Sequence, residues 1–201
     1  MTTEPTSPGA SRRGVLQAGA AAALASALPF TAAAAMAKTA RFHKAVYDAR
    51  FPEGVSFGAE MERGGTPTHA IKGDITPFYN SLYRQWKEAP TLIAGLTSAN
   101  ALFALELMAN AAGMRVAFRA EQRLDRFGAP QWLLEGPPGL IDAAALSAAD
   151  RDWGLFAARL AAACPARWSA PASSTAACAV ASPAAVDERV TAWVLAPVVR
   201  I

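Results

Sequence analysis

The sequence has few of the residues from which metal sites and catalytic nucleophile sites are usually built. Its 201 residues include two histidines and two cysteines, and only 17% of them are charged. His43 and His69 fit no zinc-binding spacing, and a hydrogen-bonded structural role is favoured for His69. Because no histidine follows position 69, a serine hydrolase with the Ser…Asp…His order is disfavoured. A phosphate loop, a Gly-x-Gly-x-x-Gly turn and a Cys-x-x-Cys-His haem site are also missing.

Charge of either sign is scarce, and the excess of one sign is small. The formal net charge is +3, and Lys and Arg form no run interleaved with aromatic residues. Nucleic-acid binding therefore has little support. No segment after the N-terminal region is long and apolar enough to span a membrane.

An export signal is predicted at residues 1–37. A polar start ends in Arg12 and Arg13, an Ala/Leu-rich stretch follows, and Ala35 and Ala37 form a small-x-small cleavage site. The apolar stretch is rich in alanine and shorter than the roughly 20 residues that a membrane anchor needs. General secretory export and an N-terminal anchor are the alternatives.

The paired arginines before a moderately apolar core resemble the twin-arginine (Tat) signal of exported bacterial proteins. The resemblance covers the leader alone, and Gly14 and Gln17 depart from the usual sequence after the arginines. It implies recognition by the Tat translocase, a periplasmic location, and no stable membrane span after cleavage. Because this route carries folded proteins, often with a cofactor or a partner, it also suggests an exported redox or cofactor-bearing subunit as a partner. The sequence identifies no cofactor.

The stretch from Thr91 to Gly113 is typical of half a parallel α/β unit. Residues 91–94 form an apolar run of strand length, Gly95–Ser98 is predicted to turn the chain, and residues 99–112 are predicted to form a largely buried helix. Gly113 stands where a residue in the left-handed conformation would end that helix.

Three further strands and two further helices complete the pattern. The predicted strands are 42–47, 68–72 and 114–120, and the predicted helices are 53–63 and one that starts at Thr76. This alternation predicts an α/β fold with a small, mostly parallel sheet and helices on both faces. A flavodoxin-like strand order is favoured, and a ferredoxin-like α+β sheet is the alternative.

The last third of the chain is expected to be less regular. A short strand at 131–134 is a candidate for pairing with the fourth strand, and a helix follows a capping box at Ser147–Asp150. The α/β domain is assigned to residues 38–163. Residues 164–188 are rich in Ala, Ser and Pro and are predicted to be a mobile linker, and residues 189–201 to be a C-terminal strand.

If the sheet is parallel, its strand ends bring the candidate ligand-binding residues together at one edge. An anion could bind the first amides of the helix that follows Ser98, and Gly95 would let it approach the backbone closely. Arg50 or Arg119 could clamp a carboxylate or a phosphate. Helix capping by Thr97 or Ser98, and surface ion pairs of the arginines, are favoured over these ligand roles. The full set of candidates is Asp48, Arg50, Gly73, Asp74, Gly95, Thr97, Ser98 and Arg119.

Two pairs of residues lead to further hypotheses. Asp48 and Asp74 could hold Mg²⁺ or Ca²⁺, but two ligands make a thin site and Asp is common in turns, so no metal is assigned. Cys164 and Cys178 could form a disulfide in an oxidising periplasm, closing a loop of about 15 residues and stabilising the fold by roughly 3 kcal/mol. Free thiols are the alternative.

The sequence favours a non-catalytic function. The predicted protein is a periplasmic α/β domain that binds a small polar or anionic ligand, or an accessory subunit of an exported complex. A small enzyme that uses Asp48, Asp74 and Ser98 at the same sheet edge is the alternative. The accessory-subunit hypothesis predicts an exposed apolar patch near Trp168 or Trp193.

Overall fold

The computed structural model describes residues 41–124, 126–127, 130–147, 152–168, 170–177 and 189–198. Within these ranges the chain forms five helices and one sheet of seven strands. The strands are β1 (Lys44–Asp48), β2 (Thr68–Ile71), β3 (Ile93–Ser98), β4 (Met114–Leu124), β5 (Pro130–Gly136), β6 (Ala172–Ala177) and β7 (Val190–Pro197). The helices are α1 (Pro52–Arg63), α2 (Thr76–Glu88), α3 (Ala99–Ala111), α4 (Pro138–Ser147) and α5 (Trp153–Ala163). The predicted export signal lies outside the described residues.

The sheet has the strand order β2-β1-β3-β7-β4-β5-β6. β1 pairs in parallel with β2 and β3, whereas the other four pairs of neighbouring strands are antiparallel. The α/β class is therefore confirmed, but the mostly parallel sheet is wrong, and the flavodoxin-like order does not continue beyond β3. The prediction assumed that a helix connects each pair of neighbouring strands, but antiparallel neighbours need no helical crossover. β5, the next strand along the chain, pairs antiparallel with β4, and β7 lies between β3 and β4.

Helices cover both faces of the sheet, as predicted. α1 and α5 pack against one face, around Phe57 and Leu160. α2 and α3 pack against the other face, and the four-residue spacing of Phe78, Leu82 and Trp86 buries all three side chains of α2. Among the described residues, no helix has the length and apolarity needed to cross a bilayer.

The parallel part of the sheet contains a point at which the connections change sides. From β1 the chain continues into α1 on one face, and from β3 it continues into α3 on the other face. In doubly wound sheets a crevice opens at the carboxyl ends of two such strands, and ligands bind there. β1 ends at Asp48 and β3 ends at Ser98, so two of the predicted site residues flank this crevice.

β3 and α3 differ from their prediction in two respects. Gly95–Ser98 continues the strand instead of turning the chain, because these residues pair with residues 190–193 of β7. α3 is not buried on every side, since the side chains of Phe103 and Leu107 are 62% and 59% exposed. Gly113 follows the helix with a φ of +74°, as the sequence predicts.

The segment predicted to be a linker contributes to the fold. Ala172–Ala177 forms β6 and pairs with β5 at the edge of the sheet, because a ladder of backbone hydrogen bonds needs no large side chains. Trp168 is partly buried, and its indole N–H donates to the Val116 carbonyl (3.1 Å). A mobile linker is therefore wrong for these residues, and residues 178–188 lie outside the described ranges.

The remaining C-terminal predictions have mixed outcomes. The short strand that was expected to pair with the fourth strand is β5, and it forms an antiparallel hairpin with β4. Asp152, not the predicted capping box, caps α5, because its side chain accepts a hydrogen bond from the Leu155 amide (3.0 Å). Ser147 ends α4, and residues 148–151 lie outside the described ranges.

Candidate functional site

A cavity of about 440 Å³ opens at the carboxyl ends of the parallel strands. Its position is the crevice between β1 and β3, where the connecting helices change sides. Arg50, Gly73 and Ser98, which the sequence analysis predicted to form a site, meet here. Among the described residues, the lining consists of Arg50, Lys72, Gly73, Ser98, Ala99, Asn100 and Arg189.

Asp48 fixes the guanidinium group of Arg50, which lines the cavity. The carboxylate is fully buried, whereas the Arg50 side chain is 36% exposed. Arg50 donates to both carboxylate oxygens, from Nε at 3.1 and 3.2 Å and from Nη2 at 2.8 Å, and its backbone amide donates to Oδ1 at 3.1 Å. Charge-assisted bonds of this kind are short and directional. Asp48 is therefore a positioning residue for Arg50.

Gly73 provides the surface against which this guanidinium lies. A Cβ at position 73 would come within 2.9 Å of Arg50 Cζ, which is closer than real Cβ contacts come. The φ of Gly73 is +84°, a conformation that a residue with a side chain seldom adopts. Both the close approach of Arg50 and the positive φ therefore favour glycine at this position.

The start of α3 forms another part of the cavity lining. Ser98 stands at the N-cap position, but its side chain makes no capping hydrogen bond. The interpretation of Ser98 as a simple helix cap is therefore wrong. The first backbone amides of a helix have no partner within the helix, and the helix dipole adds partial positive charge at this end. Ala99 and Asn100, at the start of α3, line the cavity.

Lys72 and Arg189 are cavity residues that the sequence analysis missed. Lys72 directly follows β2, next to the predicted Gly73. Arg189 directly precedes β7, and the pairing of Val190 with Ser98 brings it to this edge of the sheet. A Lys at a strand end was a usable signal, but nothing in the sequence indicated that the last strand lies beside β3.

Asp74 is near the cavity in sequence but has a local structural role. It is exposed, and its Oδ1 accepts a hydrogen bond from the Thr76 amide (2.8 Å) at the start of α2. Hydrogen bonds from the Thr76 amide, and then from the Thr76 side chain, lower the pKa of Asp74 below its ordinary value. Among the described residues, no group of three or more His, Cys, Asp and Glu side chains converges into a donor set for a metal ion.

Gly95 and Thr97 are structural residues of β3. The Trp193 ring occupies the space in front of Gly95, so no ligand approaches the backbone there. Thr97 is buried, accepts a hydrogen bond from the Trp193 indole N–H (3.0 Å) and donates one to the Ser98 carbonyl (3.2 Å). Neither residue lines the cavity, so their predicted contact with a ligand gains no support from this geometry.

Arg119 lies away from the cavity. Arg119 pairs with Trp193 of β7, and Trp193 pairs with Gly95 of β3. Arg119 is therefore level with Gly95, three residues before Ser98 at the end of β3. β4 continues to Leu124, beyond the end that the sequence predicted. Arg119 Nη2 instead forms an ion pair with Glu106 Oε1 of α3 (2.7 Å).

Of the cysteine and histidine residues that the structure describes, none offers a nucleophile or a base to the cavity. Cys164 is a free thiol, and burial raises its pKa to about 12, so it stays protonated at neutral pH. Its predicted disulfide partner, Cys178, lies outside the described residues. Partial burial, and then the charge of Lys44, lower the pKa values of His43 and His69, and neither histidine lines the cavity.

The charged side chains that line the cavity are all cationic among the residues that the structure describes. Arg50, Lys72 and Arg189 supply positive charge to the lining, and Arg50 is bonded to the buried Asp48. The amides at the start of α3 add to the positive potential. No protein-family description, curated protein or solved structure matches this chain. The function is therefore argued from the chemistry of the cavity.

Proposed function

We propose that this domain binds a small anionic molecule in the cavity at the carboxyl ends of β1, β2 and β3. The observation that carries the proposal is the convergence of Arg50, Lys72 and Arg189 on the amino-terminal end of α3. Guanidinium groups and helix amides both complement phosphate and carboxylate oxygens. Arg50 is held in place before any ligand arrives, which reduces the entropy that binding must overcome.

Binding is favoured over catalysis because the nearby carboxylates are already engaged. Asp48 accepts hydrogen bonds on both oxygens from Arg50, and Asp74 accepts one from the start of α2. A general acid or base must reach the proton that it transfers, and neither carboxylate lines the cavity. The alternative, a small enzyme using Asp48, Asp74 and Ser98, has support only from the position of Ser98.

The test is a titration with inorganic phosphate and sulfate by calorimetry at low salt. Lys72→Gln and Arg189→Gln should each weaken phosphate binding by about tenfold, equivalent to about 1.4 kcal/mol. Lys87→Gln and Arg84→Gln are matched controls, since both residues are exposed on α2. Lys87 lies 11 residues beyond Thr76, the first residue of that helix, or about 16 Å along its axis.

The controls separate a built site from a general charge effect. They remove the same charge from the chain as the cavity variants do. Equal losses of affinity in all four variants would show that anions bind only through net charge, and the proposal would fail. Absence of phosphate and sulfate binding by the wild-type protein would also refute it.

We propose further that the mature chain is exported to the periplasm by the twin-arginine route. The leader supports this proposal through Arg12, Arg13 and the Ala35-x-Ala37 cleavage pattern. Replacing both arginines by lysine should leave the precursor in the cytoplasm, and the mature N-terminus from the periplasm should be Lys38. Export that persists in a strain without the Tat translocase would favour the general secretory route.

An accessory role beside an exported redox or cofactor-bearing subunit remains a proposal that rests on the leader. The apolar patch expected for it does not occur at Trp168, which is partly buried, or at Trp193, which is fully buried. Co-purification of a second polypeptide with the mature chain from periplasm would support this role, and a single polypeptide would argue against it.

A further inference from the structure

We infer that the outer face of α3 binds a second copy of this chain, with the two α3 helices antiparallel about a twofold axis. The inference concerns a surface and not a ligand, and it does not depend on the proposed anion binding. Three properties of the face support it: large apolar side chains at its centre, the absence of charge, and a symmetric order of residue types along the helix.

Two large apolar side chains occupy the centre of this face. Phe103 and Leu107 are 62% and 59% exposed, and residues four positions apart are neighbours on a helix surface. The outward side of a helix in a soluble domain is usually polar and charged. An apolar patch on such a side is typical of a surface that another protein covers.

The face has no charged side chain. The exposed residues of α3 are Ala99, Asn100, Phe103, Leu107, Asn110 and Ala111. Glu106, the one charged residue of this helix, is partly buried and forms an ion pair with Arg119. On α2, by contrast, Arg84, Lys87 and Glu88 are all exposed. Because a twofold pair places the same surface of both copies in contact, a face without charge can meet itself without repulsion between like charges.

The exposed residues are arranged symmetrically about Leu105, which is fully buried. The two alanines lie six residues before and after Leu105, the two asparagines lie five residues before and after it, and Phe103 and Leu107 lie two residues before and after it. At about 100° per residue, all six project from one arc of about 120° on the side opposite Leu105. The order of residue types along the face is therefore the same in both directions.

An antiparallel second helix centred at the level of Leu105 matches this face group by group. Leu107 of the second copy lies level with Phe103, so apolar side chains meet. Asn110 of the second copy lies level with Asn100, and a carboxamide can both donate to and accept from another carboxamide. A parallel second helix lacks this symmetry, because it places each residue beside its own copy.

The ends of the two helices are also complementary in charge. α3 has no acidic residue in its first turn and no basic residue in its last turn, and Arg115, beyond its end, reaches the Asn110 carbonyl at 3.4 Å. Antiparallel pairing places the amides at the start of each helix beside the carbonyls at the end of the other, where opposite partial charges attract. The helix is about 20 Å long, so we expect a small interface and a Kd on the order of 10–100 μM.

The test is sedimentation equilibrium of the wild-type chain at concentrations up to about 500 μM, which covers weak association. The wild-type chain should change from monomer to dimer over this range. Phe103→Lys and Leu107→Glu should each weaken the dimer by at least about tenfold, since each places an unpaired charge against an apolar side chain of the second copy. Val55→Lys and Val55→Glu are the matched controls and should not change the Kd, because Val55 is 49% exposed on α1, which packs on the other face of the sheet.

An equimolar mixture of the Phe103→Lys and Leu107→Glu chains tests the antiparallel register. In the mixed dimer the two new charges have opposite signs and face each other, and the unchanged Leu107 of one copy faces the unchanged Phe103 of the other. The mixture should therefore dimerise at least about tenfold more tightly than either variant alone. A wild-type chain that stays monomeric at about 500 μM, or variants that dimerise as tightly as the Val55 controls, would overturn the inference. A mixture that associates no better than its components would overturn the antiparallel pairing.

Discussion

The indole ring of Trp193 lies against the Cα of Gly95 in the neighbouring strand, and a Cβ on Gly95 would come within 2.2 Å of Trp193 Cζ2. The same indole donates its N–H to the hydroxyl of Thr97 (3.0 Å). One side chain of β7 thus fixes two positions of β3, the strand that ends at Ser98. The cavity wall therefore depends on the packing of the last strand of the sheet.

Gly95→Ala should destabilise the protein. Trp193 is fully buried, so its ring has no free space to move into, and overpacking of a core costs about 1–3 kcal/mol. For a domain of this size the melting temperature should fall by about 2–4 °C per kcal/mol. Thermal unfolding followed by circular dichroism measures the change.

Gly139→Ala is the control for this substitution. A Cβ at Gly139 meets nothing within 4 Å, and alanine has the higher helix propensity, so stability should stay equal or rise slightly. A Gly95→Ala protein that melts at the wild-type temperature would mean that Trp193 does not fill the space in front of Gly95.

The parallel half of the fold could be predicted from local patterns. The four-residue spacing of Phe78, Leu82 and Trp86 predicts a helix with one buried face, and the structure buries all three. The polar residues that follow Asp48 and Ile71 indicate strand ends, and in a parallel sheet strand ends meet. These patterns are sufficient to predict that Arg50, Gly73 and Ser98 lie close together, as they do in the cavity lining.

The antiparallel half could not be predicted in this way, because strand order depends on contacts between distant residues. Val190 pairs with Ser98 although 91 residues separate them, and no local pattern specifies that pairing. Arg189 was missed for this reason. The sequence wrongly predicts Arg119 at the sheet edge, because the alternation of Val116 and Phe118 does not reveal that β4 continues to Leu124.

Asp48→Asn separates positioning from charge at the cavity. If charge alone mattered, removing a carboxylate beside a cationic cavity would strengthen phosphate binding. Because Asp48 holds Arg50 through both oxygens, we expect weaker binding instead, by about three- to tenfold, and a loss of about 1–3 kcal/mol of stability. Calorimetry and urea unfolding measure the two effects.

Asp142→Asn provides the comparison for the Asp48 variant. It removes one negative charge from an exposed position in α4. This variant should therefore show the effect of net charge on phosphate binding without any effect on the position of Arg50. Stronger phosphate binding by Asp48→Asn than by Asp142→Asn would refute the positioning role of Asp48.

His69 should titrate below its ordinary pKa of 6.5. Its ring stacks on Phe78, with centroids 4.7 Å apart, and partial burial, followed by the charge of Lys44, lowers its pKa. A histidine whose pKa is lower in the folded state contributes stability that is complete above pH 6.5 and is lost as the pH falls through the folded-state pKa.

Two measurements check the histidine prediction. In an NMR titration, Lys44→Gln should raise the pKa of His69, and Lys87→Gln should leave it unchanged. In urea unfolding, His69→Gln should lose less stability than the wild-type protein between pH 7.5 and pH 5. An unchanged His69 pKa in Lys44→Gln would exclude Lys44 as a cause.

The Cys164 thiol should resist modification in the folded protein. It is 2% exposed, and burial raises its pKa from 9.0 to about 12, so the reactive thiolate is scarce at pH 8. The raised pKa also means that its contribution to stability is complete below pH 9 and is lost as the pH rises towards 12. In a Cys178→Ser protein, where Cys164 is the single thiol, Ellman's reagent should react at pH 8 only after urea is added. Rapid reaction without urea would show that this cysteine is accessible in the native state.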